Sequence, residues 1–153
     1  MPRAKQVPVS PLYTALAVYA RSEGETNDCA VKAIAAVTGH HYHEVRDRLA
    51  AHGRKNRHGT HRFMTFAVLE ELGYRAIQVG QEKFLAACPA RWNARYVTTH
   101  HPDRVPAGWK DGKTYLLFTR DHVLAVVNGV THDYSRNRSM RVRSIFEITR
   151  SAP

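Results

Sequence analysis

Apolar residues fall into two regimes along this chain. As far as Leu72 they recur at the spacing of helix faces. From Tyr74 onward they run in short stretches rich in Val, Ile, Tyr and Phe, which suit strands. In the first regime, Leu12 to Ala20 predicts a short helix. A cap at Asn27 or Asp28 predicts a helix running to Thr38, with Val31, Ile34, Ala35 and Val37 on its buried side and Gly39 as its stop. A further helix is expected over roughly His43 to His52, ended by Gly53. Another is expected from about His61 to Leu72, with Phe63, Phe66, Ala67, Val68 and Leu69 facing the core and Gly73 at its end. In the second regime, Tyr74 to Val79 predicts a strand and Glu82 to Cys88 a short helix ended by Pro89. Trp92 to Gly112 reads as loop with room for a helical turn. Strands follow from Tyr115 to Thr119, His122 to Val127, Val130 to Tyr134 and Val142 to Ile148. Helices first and antiparallel strands afterwards is an α+β pattern, and there are no repeats. Residues 1–11, with Pro2, Pro8 and Pro11, read as an extended arm, and 12–153 as one domain.

The strand pattern carries a register. Asn128-Gly129 between two apolar runs signals a two-residue hairpin, whose turn needs positive φ at both central residues. Such a turn sets Val127 against Val130 and Leu124 across from Asp133. Side chains alternate faces along a strand, so His122, Leu124 and Val126 share one face with Thr131, Asp133 and Ser135. Val123, Ala125 and Val127 share the other with His132. His122 and Asp133 become diagonal neighbours about 7 Å apart, within reach of an imidazole and a carboxylate. His132 faces the other way.

A thiol completes this pair. In Asn27-Asp28-Cys29-Ala30-Val31, Cys29 falls in the first turn of its helix, where unpaired backbone N–H groups and the helix dipole favour a thiolate. A cysteine at a helix start, a histidine opening a strand and an acidic residue on the next strand follow the order of the papain-like cysteine peptidases. With Thr26-Asn27-Asp28-Cys29-Ala30-Val31-Lys32-Ala33, Gly53-Arg54-Lys55-Asn56-Arg57-His58-Gly59-Thr60 and His122 to Asp133, the chain resembles small papain-like proteins encoded by bacteriophages. It also resembles a reduced form of the double-glycine leader peptidases. The resemblance runs over about residues 25–148. It implies a helical lobe delivering the thiol and an antiparallel sheet delivering His and Asp. Cys29 would be the nucleophile, His122 the general base and Asp133 its orienter, in a hydrolase acting on a peptide or isopeptide bond. No metal or organic cofactor is implied, and the location would be cytoplasmic, that of the host for a phage-encoded protein. Papain-like enzymes usually carry, six residues before the cysteine, a glutamine that helps bind the oxyanion. Here that position is Glu23, which offers no donor when ionised; Asn27 is the substitute, with the Cys29 N–H as the second donor.

Composition bounds the alternatives. The chain of 153 residues is long enough to bury a core without disulfide or metal staples, and its two cysteines are too few for a disulfide framework. Cys88, ahead of a proline, reads as structural. The N-terminus lacks the apolar run of a signal peptide, and no stretch has the length of a membrane span. The histidine clusters at His40, His41 and His43, at His58 and His61 and at His100 and His101 are read as surface groups, because no CxxC pair or HExxH signature accompanies them. A net charge of +10 includes denser patches at Arg54, Lys55 and Arg57 and at Arg138, Arg141 and Arg143. These patches support a second reading, a non-catalytic binding module that engages a host protein or nucleic acid through a basic surface. An acyl transferase would use the same Cys, His and Asp and is a third.

Overall fold

A computed structural model describes residues 7–8, 10–80, 96–98, 112–135 and 139–151. Helix α1 (Pro11–Ser22) is capped by Ser10, whose Oγ accepts the Tyr13 N–H. Pro11 opens its first turn, where a missing N–H costs nothing. Helix α2 (Cys29–Thr38) stops at Gly39, which takes a left-handed φ of 75°. Helix α3 (Tyr42–Ala51) starts at His41, whose ring accepts the His43 N–H. Helix α4 (Arg62–Glu71) completes the helical half.

Helix α2 departs from the expected one-sided burial: every residue from Ala30 to Thr38 is buried. It lies against α1, α3 and α4 on one side and the sheet on the other, and Ala30, Ala33, Ala35 and Ala36 let these neighbours approach closely. In α4 the buried stripe is Met64, Thr65, Val68 and Leu69. Phe63, expected in the core, lies one step outside that stripe; it is 64% exposed and stacks on the His61 ring.

Five antiparallel strands form the main sheet: β2 (Tyr74–Val79), β4 (Thr114–Phe118), β5 (Val123–Val127), β6 (Val130–His132) and β9 (Ser144–Arg150), in the order β2-β9-β4-β5-β6. Two short pairs accompany it, β1 (Val7–Pro8) with β7 (Tyr134–Ser135) and β3 (Tyr96–Thr98) with β8 (Ser139–Arg141). Strand β3 falls where only loop was expected. The helix expected from Glu82 to Cys88 lies outside the described residues. The β5–β6 turn has the anticipated form, with φ of 49° at Asn128 and 78° at Gly129 and Val127 opposite Val130. The expected single strand from Val130 to Tyr134 is broken at Asp133: β6 ends at His132, and β7 turns to pair with the N-terminal arm.

The central strands of the sheet bury both faces. Leu116, Phe118, Val123, Ala125 and Ile148 pack with the four helices, whereas Tyr115, Leu117, Leu124, Val126, Val142 and Ile145 form a second cluster. Among the described residues, the chain is therefore α+β, with four helices and a five-stranded antiparallel sheet. No described helix is long and apolar enough to cross a membrane.

Candidate active site

Cys29 is the first residue of α2. Asp28 occupies the cap position without capping: its Oδ1 accepts from Lys32 Nζ at 3.0 Å and its Oδ2 from the Tyr42 hydroxyl at 2.8 Å. The first intrahelical bond is Lys32 N–H to Asp28 C=O, so the N–H groups of Cys29, Ala30 and Val31 precede the helical ladder. The expectation that Asn27 or Asp28 would cap with its side chain is corrected here. The two side chains are held elsewhere, and the positive end of the helix is left to whatever lies beside Cys29.

His122 precedes β5 in the connection that links the paired residues Phe118 and Val123. Its carbonyl accepts from the Thr119 N–H at 2.8 Å and from the Thr119 hydroxyl at 3.3 Å. Its Nε2 lies 2.9 Å from both Oδ1 and Oδ2 of Asp133, a carboxylate buried completely. With Nε2 so engaged, Nδ1 is the nitrogen left to the Cys29 thiol, which is hydrogen-bonded to the His122 side chain and to the Val123 N–H. The structure thus brings Cys29, His122 and Asp133 together.

Strand alternation is not what unites them. The last paired residues at this end of the hairpin are Ala125 and His132, so His122 and Asp133 both lie beyond the ladder. Both turn toward Cys29, which packs with the Val123 and Ala125 cluster rather than with Leu124 and Val126. His132 goes elsewhere, its Nδ1 2.7 Å from Ser10 Oγ at the start of α1.

The electrostatics favour a charged pair. Burial pushes the His122 imidazolium toward losing its proton, but its bonds to Asp133 and Cys29 prevail and raise its pKa to about 9. Burial likewise pushes the Cys29 thiol up, yet the hydrogen bond and charge of His122, with the Val123 N–H, bring it below the ordinary cysteine value. The thiolate and imidazolium stabilise each other.

The pair opens onto a cleft of about 790 Å³. One side is supplied by residues between Gly53 and Thr65, another by the connection from Phe118 to Val123, and the rest by Asn27, Cys29 and Ala30. Asn27 shares the cleft with Cys29, but one of its amide N–H groups is given to the Arg57 carbonyl at 3.2 Å. Glu23 does not line the cleft. Its carboxylate pairs with His43 Nδ1 at 3.0 Å and Arg46 at 3.2 Å, so its place as an oxyanion residue is corrected.

The basic patches also divide. Arg54 is buried, its guanidinium bonding the fully buried carboxylate of Glu25 at 2.7 and 3.3 Å, and is not a surface residue. Lys55, Arg57 and Arg143 are exposed. Arg138 lies outside the described residues, and Arg141 belongs to β8. Among the described residues, no group of three or more His, Cys, Asp or Glu is placed to hold a metal ion.

Behind the site is a buried network that the sequence reading missed. Lys32 Nζ bonds Asp28 and, at 3.2 Å, the Tyr134 hydroxyl, and lies over the rings of Tyr134 and Tyr13 at 4.7 and 5.3 Å. The four-residue spacing of Asp28 and Lys32 was its one local signal. Glu25, which also accepts from Arg46 Nε at 2.8 Å and the Arg57 N–H at 2.7 Å, had none, because its partners are distant in sequence. No protein-family model, curated protein or solved structure matches this chain.

Proposed function

We propose that this chain is a papain-like cysteine hydrolase that cleaves a peptide or isopeptide bond. The observation that carries the reading is the unbroken line of contacts from Cys29 through His122 to Asp133, at the mouth of an open cleft. The order of the three residues in the chain, and their division between a helix start and the end of a sheet, support the papain-like assignment.

In this mechanism the Cys29 thiolate attacks the carbonyl carbon and a C–S bond forms. The developing oxyanion is met by the Cys29 N–H and by the second amide N–H of Asn27, with the dipole of α2 behind them. The His122 imidazolium gives its proton to the leaving amine as the C–N bond breaks, leaving an acyl-enzyme. His122, now neutral, takes a proton from water, whose oxygen attacks the thioester and releases the acid and the thiolate. Asp133 accepts the Nε2–H throughout, so that Nδ1 is the nitrogen facing the sulfur. Burial of its carboxylate keeps the partner ring in one orientation.

The test is alkylation with iodoacetamide at neutral pH, read by mass spectrometry at both cysteines. Cys29 is expected to react much faster than Cys88, and Cys29→Ala to abolish cleavage of a proteome-derived peptide library. Equal rates at the two cysteines in the folded protein would overturn the assignment.

A further inference from the structure

The residues lining the cleft are unequally charged. Lys55 and Arg62 come from one side and Arg120 from the other, against one carboxylate, Asp121. All four side chains are exposed. Among the described residues no carboxylate pairs with any of the three cations; Arg62 instead lies over the Phe118 ring at 4.4 Å, which leaves its charge uncompensated. Glu25, which reaches this segment, is occupied by Arg54, Arg46 and the Arg57 N–H. Two further lining residues hold buried polar atoms without a partner among the described residues, Arg54 Nε and Thr60 Oγ1. A native protein rarely leaves such groups unmet unless something else satisfies them. The cleft therefore presents uncompensated positive charge on both sides of the thiol.

We propose that the cleft receives an acidic stretch of polypeptide, with Asp or Glu side chains flanking the bond presented to Cys29. This substrate class rests on the reading of Cys29 as the nucleophile. A polyanion such as nucleic acid would satisfy the same cations, but it offers a thiolate no acyl carbon to attack, whereas an acidic peptide supplies both charge and carbonyl. The chain's overall charge of +10 speeds the approach of such a substrate from a distance.

The experiment compares three probes on the full chain: a short fluorescein-labelled peptide alternating Glu and Ala, its Lys and Ala counterpart, and a single-stranded oligodeoxythymidylate of equal length. Binding is read by anisotropy, and occupancy of the cleft by slowed alkylation of Cys29. The glutamate peptide is expected to bind and protect Cys29, and the lysine peptide to do neither. Lys55→Gln, Arg62→Gln and Arg120→Gln combined should weaken binding about tenfold while the thermal melt is unchanged. Undiminished binding by the triple variant, or tighter binding of the oligodeoxythymidylate, overturns the proposal. Failure of the hydrolase reading looks different: Cys29 would alkylate no faster than Cys88 while the glutamate peptide still bound in a charge-dependent way. A reactive Cys29 with no glutamate-peptide binding refutes the acidic preference alone.

Discussion

Replacing Glu25 by Gln is expected to cost about 3 to 5 kcal/mol of folding stability. The carboxylate, 0% exposed, accepts from Arg54 twice, from Arg46 and from the Arg57 N–H. Burial opposes its charge, but those donors prevail and lower its pKa from 4.5 to about 2. A lowering of that size corresponds to about 3 kcal/mol in favour of the charged form on folding. The penalty for exposing Arg54 to an uncharged partner points the same way, because that side chain is 2% exposed and cannot reach water. Against a total of about 5 to 15 kcal/mol for a typical domain, this is a large share. The sign with pH follows from the lowered pKa. The contribution is fully present above the unfolded value of 4.5 and is lost as pH falls toward about 2, where the folded group takes its proton. Urea unfolding of both proteins, first near neutral pH and then across that acid window, measures the two effects together. The variant should be weaker near neutral pH and lose less on acidification. A neutral-pH difference under about 1 kcal/mol with an unchanged acid response would refute the reasoning.

Four further outcomes are expected. His122→Ala and Asp133→Asn should each slow alkylation of Cys29 by at least about tenfold, whereas His132→Ala should leave it unchanged and cost about 1 kcal/mol of stability through the lost contact with Ser10; a loss of Cys29 reactivity in His132→Ala would contradict the site. The His122 ring should titrate by NMR near pH 9, and its stabilising contribution, complete below 6.5, should be lost as pH rises from there through about 9; a midpoint at or below 6.5 would remove the ion pair. Glu23→Gln should not alter Cys29 chemistry, since Glu23 faces His43 and Arg46; an increase in turnover would place it in the cleft after all. Lys32→Met should destabilise by about 3 kcal/mol in denaturant, because the buried Asp28 side chain would lose its ion-pair partner and retain the Tyr42 hydroxyl, and a neutral result would show that the pair contributes nothing net to stability.

What could be read from the sequence was whatever is decided by neighbours in the chain. The Asn128-Gly129 turn needs positive φ at two adjacent residues, and that requirement alone sets the register from Val127 to Ala125. Gly39 ends α2 for a similar reason. The meeting of His122 and Asp133 was reached by extending strand alternation past the point where the ladder stops; the two residues meet because both are released from it. The break at Asp133 depends on the pairing of Tyr134 and Ser135 with Val7 and Pro8, a contact across most of the chain. Arg54 read as surface because nothing near it in sequence could neutralise it, while Glu25 does so from a distant segment. Glu23 was placed in the site by its offset from Cys29, but the chain leaves α1 at Gly24 with a φ of 64° and aims the carboxylate at α3 instead.

The parts of the Cys29 site are synthesised in an order that delays its chemistry. The thiol emerges early, and the ring it bonds is about ninety residues downstream, followed by Asp133 and then by the short strand that closes on the arm. Throughout that interval Cys29 has neither His122 nor the Val123 N–H beside it. On the hydrolase reading proposed above, reactivity therefore arrives with docking of the sheet against α2, and the growing chain is shielded from that thiolate until the last of these partners is in place.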